Sequence, residues 1–572
     1  MSSPLRYEVN ENPPTPLAFG LALQFTIIAI AGIVVTPAIV IQAAGESASY
    51  LEYAVFASLV VCGICTFLQA RPIWRIGSGY ILLMGTSGAF IAVSVAALEA
   101  GGALMLGALV LVSSFVQFAF AFKLSWLRKV ITPAVGGVVI MLIPVTVMPI
   151  AFDFFSKVSE EHQSFGAPFV VFLTVLIGVG LGILAKGMLR LWTPIIGIVI
   201  GTIAAAIIGI YDSTPVQNAA WIGIPKFSEM SFDFSLNSSF YGSFFTLLPS
   251  FIFVTVIGMV ETIGDSIAIQ RVSQRKPKSP DYRVVQGAVG ADGFGNLLSG
   301  CLAIVPNTTY SSSISVTELT GVASRRVGMF IGGIFLVAAF LPKLQAIIVS
   351  LPPPVVGAYL LIVLGLLFVV GLQMVARSGL DYRTGLIVGI SMWVGIGFQY
   401  QFIFPGLFTG MWGDLLQNGM TVGGLTAIFL MLLWRVTSSR RIKTQCDLRP
   451  EAIQELQSFL DQVCTRWKLS DEIRSNIELA NEETLHILQQ SRPGDEQRKL
   501  SISVHKELNL IELEYVLALD LENIEDRVAM LQESPGEFNE DDYSLRILRH
   551  ISAHVKHEKY FDVDFLSVKV KC

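Results

Sequence analysis

Two carboxylates lie inside an apolar stretch of the chain. Glu261 and Asp265 are four positions apart in FIFVTVIGMVETIGDSIAIQ, residues 251–270, so a helix places both on one face. An ionisable side chain at the centre of a membrane-spanning helix costs on the order of 2.5 to 3.5 kcal/mol, and such residues are usually functional. Two like charges this close disfavour double ionisation. The pair therefore predicts a site where a carboxyl gains and loses a proton, as a proton-coupled carrier requires.

The sequence also allows structural roles for these acids. The pair could cap neighbouring backbone, and Arg271, six residues beyond Asp265, would place that acid near cytoplasmic water. Asp292 is a third acid in an apolar segment, in GADGFGN at 290–296. The glycines around it indicate close helix packing and favour a structural role for Asp292.

The other reactive side chains indicate neither a metal site nor a cofactor. Cys62 and Cys65 form a C-x-x-C inside an apolar run, where small buried residues are the better interpretation. We expect no enzyme activity, because the apolar part has no nucleophile, metal cluster or cofactor motif. All six histidines lie outside the apolar segments, and the last three are predicted to share a solvated helix face. They are His162, His486, His505, His550, His554 and His557.

The composition is that of a membrane protein. Of 572 residues, 53% are hydrophobic and only 15% are charged, whereas about a quarter are charged in soluble domains. The mean hydropathy is +0.63. The net charge of -5 gives no indication of a nucleic-acid partner. Charges are sparse up to Trp434 and dense from Arg435. We therefore predict an N-terminal tail (1–15), an α-helical membrane domain (16–435), a linker (436–447) and a small soluble α/β domain (448–572).

The apolar segments form two series, in repeats 16–211 and 240–435. A spanning helix needs about 20 residues. The first series covers residues 17–41, 54–70, 103–122, 130–151, 169–184 and 194–210, and the second covers 244–270, 284–302, 327–341, 355–375, 384–402 and 421–434. Each series contains one short segment broken by Gly, Pro or hydroxyl residues, at 77–97 and at 305–319. About 14 spans arranged as a 7+7 inverted repeat follow, and the paired broken segments predict a binding site at mid-membrane.

Loop charges predict the orientation in the lipid bilayer. Cytoplasmic loops carry excess Lys and Arg, and a cytoplasmic N-terminus places the basic loops inside, leaving only Lys157, Lys226 and Lys343 outside. An even number of spans returns the C-terminal tail to the same side. We therefore expect a bacterial inner-membrane protein with both termini cytoplasmic.

Four motifs in fixed order carry a family resemblance. The sequences ETIGD at 261–265, GADGFGN at 290–296, PNTTYSSSI at 306–314 and LTGVASR at 319–325 resemble the xanthine/uracil permease family of nucleobase/cation symporters. GTSGAF at 85–90 also fits, so the resemblance covers about residues 15–435. It implies core and gate domains, a homodimer, and two short antiparallel strands, one from each broken segment, that meet at the substrate.

The resemblance also implies roles for single residues. Glu261 resembles the glutamate that hydrogen-bonds the base, and Asp265 resembles the proton-coupling position. The other positions implied for the substrate site are Gln24, Ser87, Gly88, Tyr310, Ser311 and Ser312, with Asp292 and Asn307 as structural neighbours. The family usually has Glu or Gln where this chain has Ser312, and often a bulky aromatic where it has Gly88. The nucleobase therefore stays open between xanthine, urate, another purine and uracil, and these departures could mean a bulkier substrate.

The tail reads as alternating helices and strands. Helices are predicted at 450–467, 470–490 and 542–557, and strands at 499–505, 511–520 and 561–571. This order resembles the GHKL-type ATPase fold of anti-sigma serine kinases, with Asn481 and Glu482 on its Asn-Glu pair. The second Asn is replaced by His486, and no Asp-x-Gly-x-Gly follows Asp520. The resemblance implies a degenerate domain that binds a cytoplasmic regulatory protein or regulates transport.

Two other functions compete with a proton-coupled nucleobase carrier. One is an anion transporter of the bicarbonate/sulfate type, which shares the implied architecture, and the other is a membrane sensor that signals through the tail. An anion site is expected to be lined by helix N-termini and cations without paired acids. The carboxylate pair therefore favours the nucleobase carrier over the anion transporter.

Overall fold

The computed structural model divides into two compact units. The described residues are 5–124, 132–225, 238–276, 278–377, 379, 381–404, 416, 418–437, 442–447, 452–490, 499–507, 510–517, 524–525, 543–561 and 563–571. The first unit, the membrane unit, comprises residues 1–275 and 284–431, and the second, the tail unit, comprises residues 276–283 and 432–572.

The first half of the membrane unit is almost entirely helical. Its main elements are α1 (Thr15–Ala43), α2 (Ala48–Ala70), strand β1 (Leu83–Thr86), α3 (Ile91–Phe122), α4 (Pro133–Ser156), α5 (Gly166–Leu184) and α6 (Met188–Ile208). Two of these helices begin at residues that favour a helix start. Ser47 caps α2 by accepting from the backbone N–H of Tyr50 at 3.3 Å, and Pro133 opens α4, where a missing N–H has no cost.

The second half repeats this order. Its elements are α7 (Ser238–Val272), α8 (Tyr282–Cys301), strand β2 (Asn307–Tyr310), α9 (Ser312–Thr320), α10 (Arg325–Ala339), α11 (Pro342–Val349), α12 (Pro353–Arg377), α13 (Tyr382–Gln399) and α14 (Gly419–Thr437). Among the described residues, eight helices are long and apolar enough to cross a membrane, or nine if α10 and α11 form one broken span. The chain is therefore a multi-pass α-helical membrane protein.

Two helices differ from their predicted form. The span predicted at 103–122 belongs to α3, which begins at Ile91 and bends at Gly101 and Gly102, where φ and ψ leave the helical region. The span predicted at 327–341 ends at Ala339, and α11 follows at an angle of 84°. Hydropathy registers apolar length but not a bend within it, because a bend depends on backbone torsions.

Pairs of small residues let helices of the two halves cross closely. A Cβ on Gly63 of α2 would lie 2.9 Å from the carbonyl oxygen of Gly332 in α10. A Cβ on Gly107 of α3 would lie 2.9 Å from the carbonyl oxygen of Gly300 in α8, so the second crossing repeats the first. Without a hydrophobic drive between helices in lipid, such backbone approach is a main source of association. The equivalent crossings support the prediction of two related halves.

A second cluster of helices packs around α4 and α12. A Cβ on Gly137 of α4 would lie 2.7 Å from the carbonyl oxygen of Gly371 in α12, and one on Gly357 would lie 2.8 Å from that of Ala151. These contacts leave no room for side chains at the crossing. The helices α4 and α12 occupy equivalent places in the two halves.

The tail unit contains a five-stranded antiparallel sheet. Its strands β3 (Ile442–Asp447), β4 (Lys499–Glu507), β5 (Leu510–Leu517), β6 (Ser552–Lys559) and β7 (Asp564–Lys571) pair in the order β3-β4-β5-β7-β6. Helices α15 (Ala452–Trp467), α16 (Asp471–Gln490) and α17 (Tyr543–Ile551) supply Leu456, Leu460, Leu485 and Leu545 to its core. This is the small α/β domain expected from the sequence.

Two tail expectations differ from the structure. Strand β3 lies in the range assigned to a linker and pairs with β4. The last helix ends at Ile551, so the prediction that His550, His554 and His557 share a helix face is wrong, since His554 and His557 lie in β6. The spacing of His554, Val555 and His557 does not distinguish the helical period from the strand period. The pairing of β6 with β7 makes this segment a strand. The prediction concerning Asp520 lies outside the described residues.

Candidate functional site

The two broken segments meet as a pair of antiparallel strands. Leu83 of β1 faces Tyr310 of β2, and Thr86 faces Asn307. Tyr310 leans across the pair, and its hydroxyl donates to the carbonyl oxygen of Thr86 at 2.9 Å. Its ring occupies the space over Gly85, where a Cβ would lie 2.1 Å from Tyr310 Cζ. The strand pair implied by the family resemblance is thus present, and it requires glycine at position 85.

Asp265 holds the second strand against α7. Its Oδ2 accepts a hydrogen bond from Thr309 Oγ1 at 2.8 Å, and its Oδ1 accepts one from Ser311 Oγ at 2.7 Å. Thr309 lies in β2 and Ser311 follows the strand with helical torsions, and both hydroxyls reach the same carboxyl. Asp265 is only 6% exposed. Both of its oxygens are therefore engaged by hydroxyl groups.

Asp292 connects α8 to the same stretch of α7. It is fully buried at 0% exposure, and its Oδ2 accepts from Thr262 Oγ1 at 2.9 Å. The Thr262 hydroxyl also lies 3.4 Å from the hydroxyl oxygens of Thr308 and Thr309. A buried carboxyl in such a network fixes the relative positions of α7, α8 and β2.

Glu261 differs from the other two acids. It is only partly buried, and its carboxyl has no hydrogen bond with any described residue. Three of its neighbours on α7 face the strand pair: Thr262 and Asp265 bond to β2 or the residue after it, and a Cβ on Gly258 would lie 4.0 Å from both Phe90 Cε2 and Thr308 Oγ1. The carboxyl of Glu261 is thus accessible to a ligand beside the strands.

Helix starts follow both strands. After β1, Ser87 accepts no side-chain bond but donates its backbone N–H to the carbonyl oxygen of Pro306 at 2.8 Å, and a short 3-10 helix begins at Gly88. A Cβ on Gly88 would meet no atom within 4 Å. After β2, Ser311 precedes α9 without capping it, and Ser312 is the first, partly buried residue. First-turn N–H groups lack intrahelical acceptors, so they are potential hydrogen-bond donors to a ligand.

Asn307 marks the junction of β2 with α8. Its backbone N–H donates to Asn296 Oδ1 at 2.8 Å, and Asn296 in turn donates to Gln117 Oε1 of α3 at 2.8 Å. The Asn307 side chain occupies the space over Gly295, where a Cβ would lie 2.5 Å from its Nδ2. This buried amide network joins α3, α8 and β2.

Most of the predicted site residues converge, but one does not. Gln24 is partly buried on α1, eight residues before Gly32, which is about 12 Å along a helix axis. Gly32 is the α1 residue that meets Tyr310, since its Cβ would lie 2.9 Å from the Tyr310 hydroxyl. No described hydrogen bond joins Gln24 to the strand pair.

Sequence reasoning missed the residues that bind the acids. Thr262 and Thr309 are the partners of Asp292 and Asp265, and Gln117 and Asn296 form the supporting network. One signal was available: the hydroxyls of Thr309 and Ser311 recur at the period of an extended chain within NTTYSS. Among the described residues, no three His, Cys, Asp or Glu side chains are grouped as a metal site would require.

The fold and the site define a multi-pass membrane protein whose polar centre is built from two broken segments and a carboxylate-bearing helix. The model of the permease family that includes the xanthine and uracil permeases matches residues 18–404, and the chain belongs to this family. The family match confirms the resemblance drawn from the four motifs. Residues 432–572 lie beyond the matched range, and their GHKL resemblance stays a prediction.

Named relatives match over most of their length. The chain is 28% identical to the xanthine permease XanQ of Escherichia coli over 450 residues, which are 75% of this chain and 94% of XanQ. It is 27% identical to the nucleobase transporter PlUacP of Paenibacillus larvae over 73% of this chain and 94% of that protein. Among solved structures, the anion transporter SLC26A9 aligns with 76% of this chain and 67% of its own at 11% identity, with a TM-score of 0.49.

Proposed function

We propose that this protein is a proton-coupled transporter that imports a nucleobase by alternating access. The single observation that carries the proposal is the Glu261 carboxyl, which has no partner among the described residues and lies beside a strand pair with helix starts. A carboxylate accepts a charge-assisted hydrogen bond from the N–H group of a planar lactam or imide edge, whose neighbouring carbonyl oxygens need donors. The names of the relatives XanQ and PlUacP agree with such a substrate.

The backbone near the strands supplies the complementary donors. The N–H groups at the starts of the 3-10 helix at Gly88 and of α9 at Ser312 can donate to the carbonyl oxygens of a base. We propose that Glu261 binds an N–H group of the base and that these backbone N–H groups bind its carbonyl oxygens. Open space at Gly88 and the short Ser312 side chain favour a purine such as xanthine or urate over the smaller uracil.

Asp265 is the proposed proton carrier. Its two partners are hydroxyl groups, and a hydroxyl can either donate or accept. The hydroxyl of Thr309 or Ser311 can therefore rotate and accept from a protonated Asp265, so the carboxyl can change charge without losing both contacts. Because these contacts hold β2, protonation is coupled to the position of the strand that binds the base.

The anion transporter is the competing function. Three acids, Glu261, Asp265 and Asp292, line α7 and α8 near the strand pair, and a negative centre opposes an anion. The acids therefore favour a neutral solute.

We further propose that the protein is a homodimer in the inner membrane of a bacterium, with both termini cytoplasmic. We also propose that the tail contacts a regulatory protein. A sensor role for the tail would be compatible with transport.

Uptake in cells that lack their own permeases tests the function. Cells expressing the protein should accumulate labelled xanthine or urate above empty-vector cells, and a protonophore should abolish the accumulation. Uracil, adenine, sulfate and bicarbonate are measured in parallel. Accumulation of sulfate or bicarbonate without any base would establish the anion transporter instead, and insensitivity to the protonophore together with dependence on sodium would contradict proton coupling.

A further inference from the structure

The segment before α1 is bound to the loop that follows α9. Tyr7 forms a parallel bridge with Val322. The backbone N–H of Arg6 donates to the carbonyl oxygen of Gly321 at 2.7 Å, and that of Ala323 donates to Tyr7 at 2.9 Å. Two residues further along both segments, Arg325 at the start of α10 donates its N–H to the carbonyl oxygen of Val9 at 3.1 Å. We call residues 5–15 the N-terminal strap.

The strap also holds the far end of α7, through Arg275. The guanidinium forms a two-pronged pair with Glu11, with Nη1–Oε1 at 2.8 Å and Nη2–Oε2 at 2.6 Å. It donates as well to the carbonyl oxygens of Leu5 at 3.3 Å and Arg6 at 3.0 Å. The Arg275 backbone N–H donates to Glu8 Oε1 at 3.0 Å. Arg275 thus binds the strap by side chain and backbone together.

The geometry of this pair suits arginine and a carboxylate specifically. Glu11 is oriented by the backbone N–H of Glu8, which donates to its Oε2 at 2.8 Å. The Arg275 guanidinium beside Glu11 holds the pKa of that carboxyl below its usual range. A planar fork of donors matches a carboxylate in a way that a lysine ammonium cannot.

A third contact fixes the strap to α10. Arg326 donates to the carbonyl oxygen of Pro13 at 3.3 Å and to Thr15 Oγ1 at 2.9 Å. Pro13 is itself buried. The strap is therefore fastened at its beginning, middle and end.

These contacts close a loop that contains the candidate site. Asp265 on α7 binds Ser311, which immediately precedes α9. Gly321 and Val322 follow α9 and bind the strap. The strap in turn binds Arg275, just beyond the end of α7. Helix α7 and the segment of β2 and α9 are thus joined twice. The second joint lies about 10 Å or more from the first, since seven helical residues separate Asp265 from Val272.

We propose that Arg275 and Glu11 are positioning residues for the substrate site. Through the strap they hold α7, which carries Glu261 and Asp265, against the segment that carries Ser311 and Ser312. When Asp265 is protonated and its hydroxyl contacts rearrange, the strap keeps the second joint unchanged. The proposal rests on the proposed function where uptake is the readout. An exposed ion pair by itself contributes little to stability, so the expected effect is on site geometry.

A double-mutant cycle measures this coupling. Arg275→Ala and Glu11→Ala should each raise the KM for the transported base about tenfold with a smaller change in maximal rate, because small misplacements at a binding site cost large factors. The double variant should resemble Arg275→Ala, because that change already removes the pair with Glu11 and Glu11→Ala then has nothing further to remove at this joint. Arg275→Lys should behave like Arg275→Ala, and Glu11→Asp should retain part of the affinity. An unchanged KM in either single variant, or single effects that multiply, would overturn the proposal.

The chain offers a matched control. Asp153 and Lys157 form an exposed ion pair at 3.0 Å at the end of α4, and Asp153→Ala should leave the KM unchanged. Amounts of protein in the membrane and melting temperatures are measured for all variants. A parallel rise in KM for Asp153→Ala would show that loss of any surface pair produces the effect.

A cross-link tests the strap without any transported substrate. Bridge partners on neighbouring extended segments lie within disulfide reach, so Tyr7→Cys with Val322→Cys in a Cys301→Ser background should form a disulfide on oxidation. Failure to cross-link in membranes would refute the strap whether or not a base is transported. If uptake is measurable, the oxidised protein should retain it, and loss of uptake reversed by reduction would overturn the proposal, because it would show that the strap must open during transport.

Discussion

At the scale of single residues, the three acids near the strand pair differ in what they bind. Asp265 and Asp292 accept from hydroxyl groups of the protein, and Glu261 accepts from no described residue. Glu261→Gln should lower uptake about a hundredfold at normal membrane expression, since an amide presents donors where the base needs acceptors and loses charge-assisted bonds. Glu99→Gln, at an exposed acid of α3, is the control and should transport normally. Unaltered affinity in Glu261→Gln would exclude Glu261 from the substrate site.

Asp265→Asn separates binding from coupling. An asparagine can still accept from Ser311 or Thr309, so the strand stays near its position, but it cannot exchange a proton. Base binding to the purified variant, measured by calorimetry, should fall only a few-fold. Accumulation driven by an imposed pH gradient should be lost while exchange of labelled for unlabelled base persists. A variant that still concentrates the base would refute the assignment of Asp265.

At the scale of elements, the site depends on how closely two broken segments approach. Gly85→Ala places a methyl group where the Tyr310 ring lies, and the ring is held by the Thr86 carbonyl and by Gly32. We expect uptake to fall at least about tenfold and the melting temperature to drop, because overpacking costs roughly 1 to 3 kcal/mol. Gly180→Ala on α5, where a Cβ meets no atom within 4 Å, is the control. Equal behaviour of the two alanine variants would show that the strand pair adapts to the methyl group.

At the scale of the whole molecule, the tail unit has a core of its own. Leu456, Leu460, Ile502, Tyr515 and Leu545 are all buried within it. A chain truncated after Arg440 should therefore insert normally and transport within about twofold of the full chain, since no proposed site residue lies beyond Ser312 and distant sites act independently. Uptake per inserted molecule is the measurement. Loss of transport by a normally inserted truncated protein would show that the tail takes part in the cycle.

The tail is also expected not to bind Mg-ATP. Asn481, which matches the first position of the GHKL Asn-Glu pair, is fully buried, and its Oδ1 accepts from the Tyr515 hydroxyl at 3.0 Å. Calorimetric titration of residues 441–572 should show no saturable binding. Micromolar binding would contradict the degenerate interpretation.

The sequence alone determined the membrane class, most helix positions and the two broken segments. Long apolar runs have one favourable solvent, and glycine, proline and hydroxyl residues interrupt helices for local reasons. It also placed Glu261 and Asp265 on one helix face, because their spacing is a local property. Tertiary structure decided which acid has no hydrogen-bond partner among the described residues: Thr309 and Ser311 lie 44 and 46 positions beyond Asp265, and no period in the chain specifies such pairs. Packing alone likewise decides four other features: the register of Leu83 with Tyr310, the bend of α3, the strand that contains His557 and the strap that joins Glu11 to Arg275.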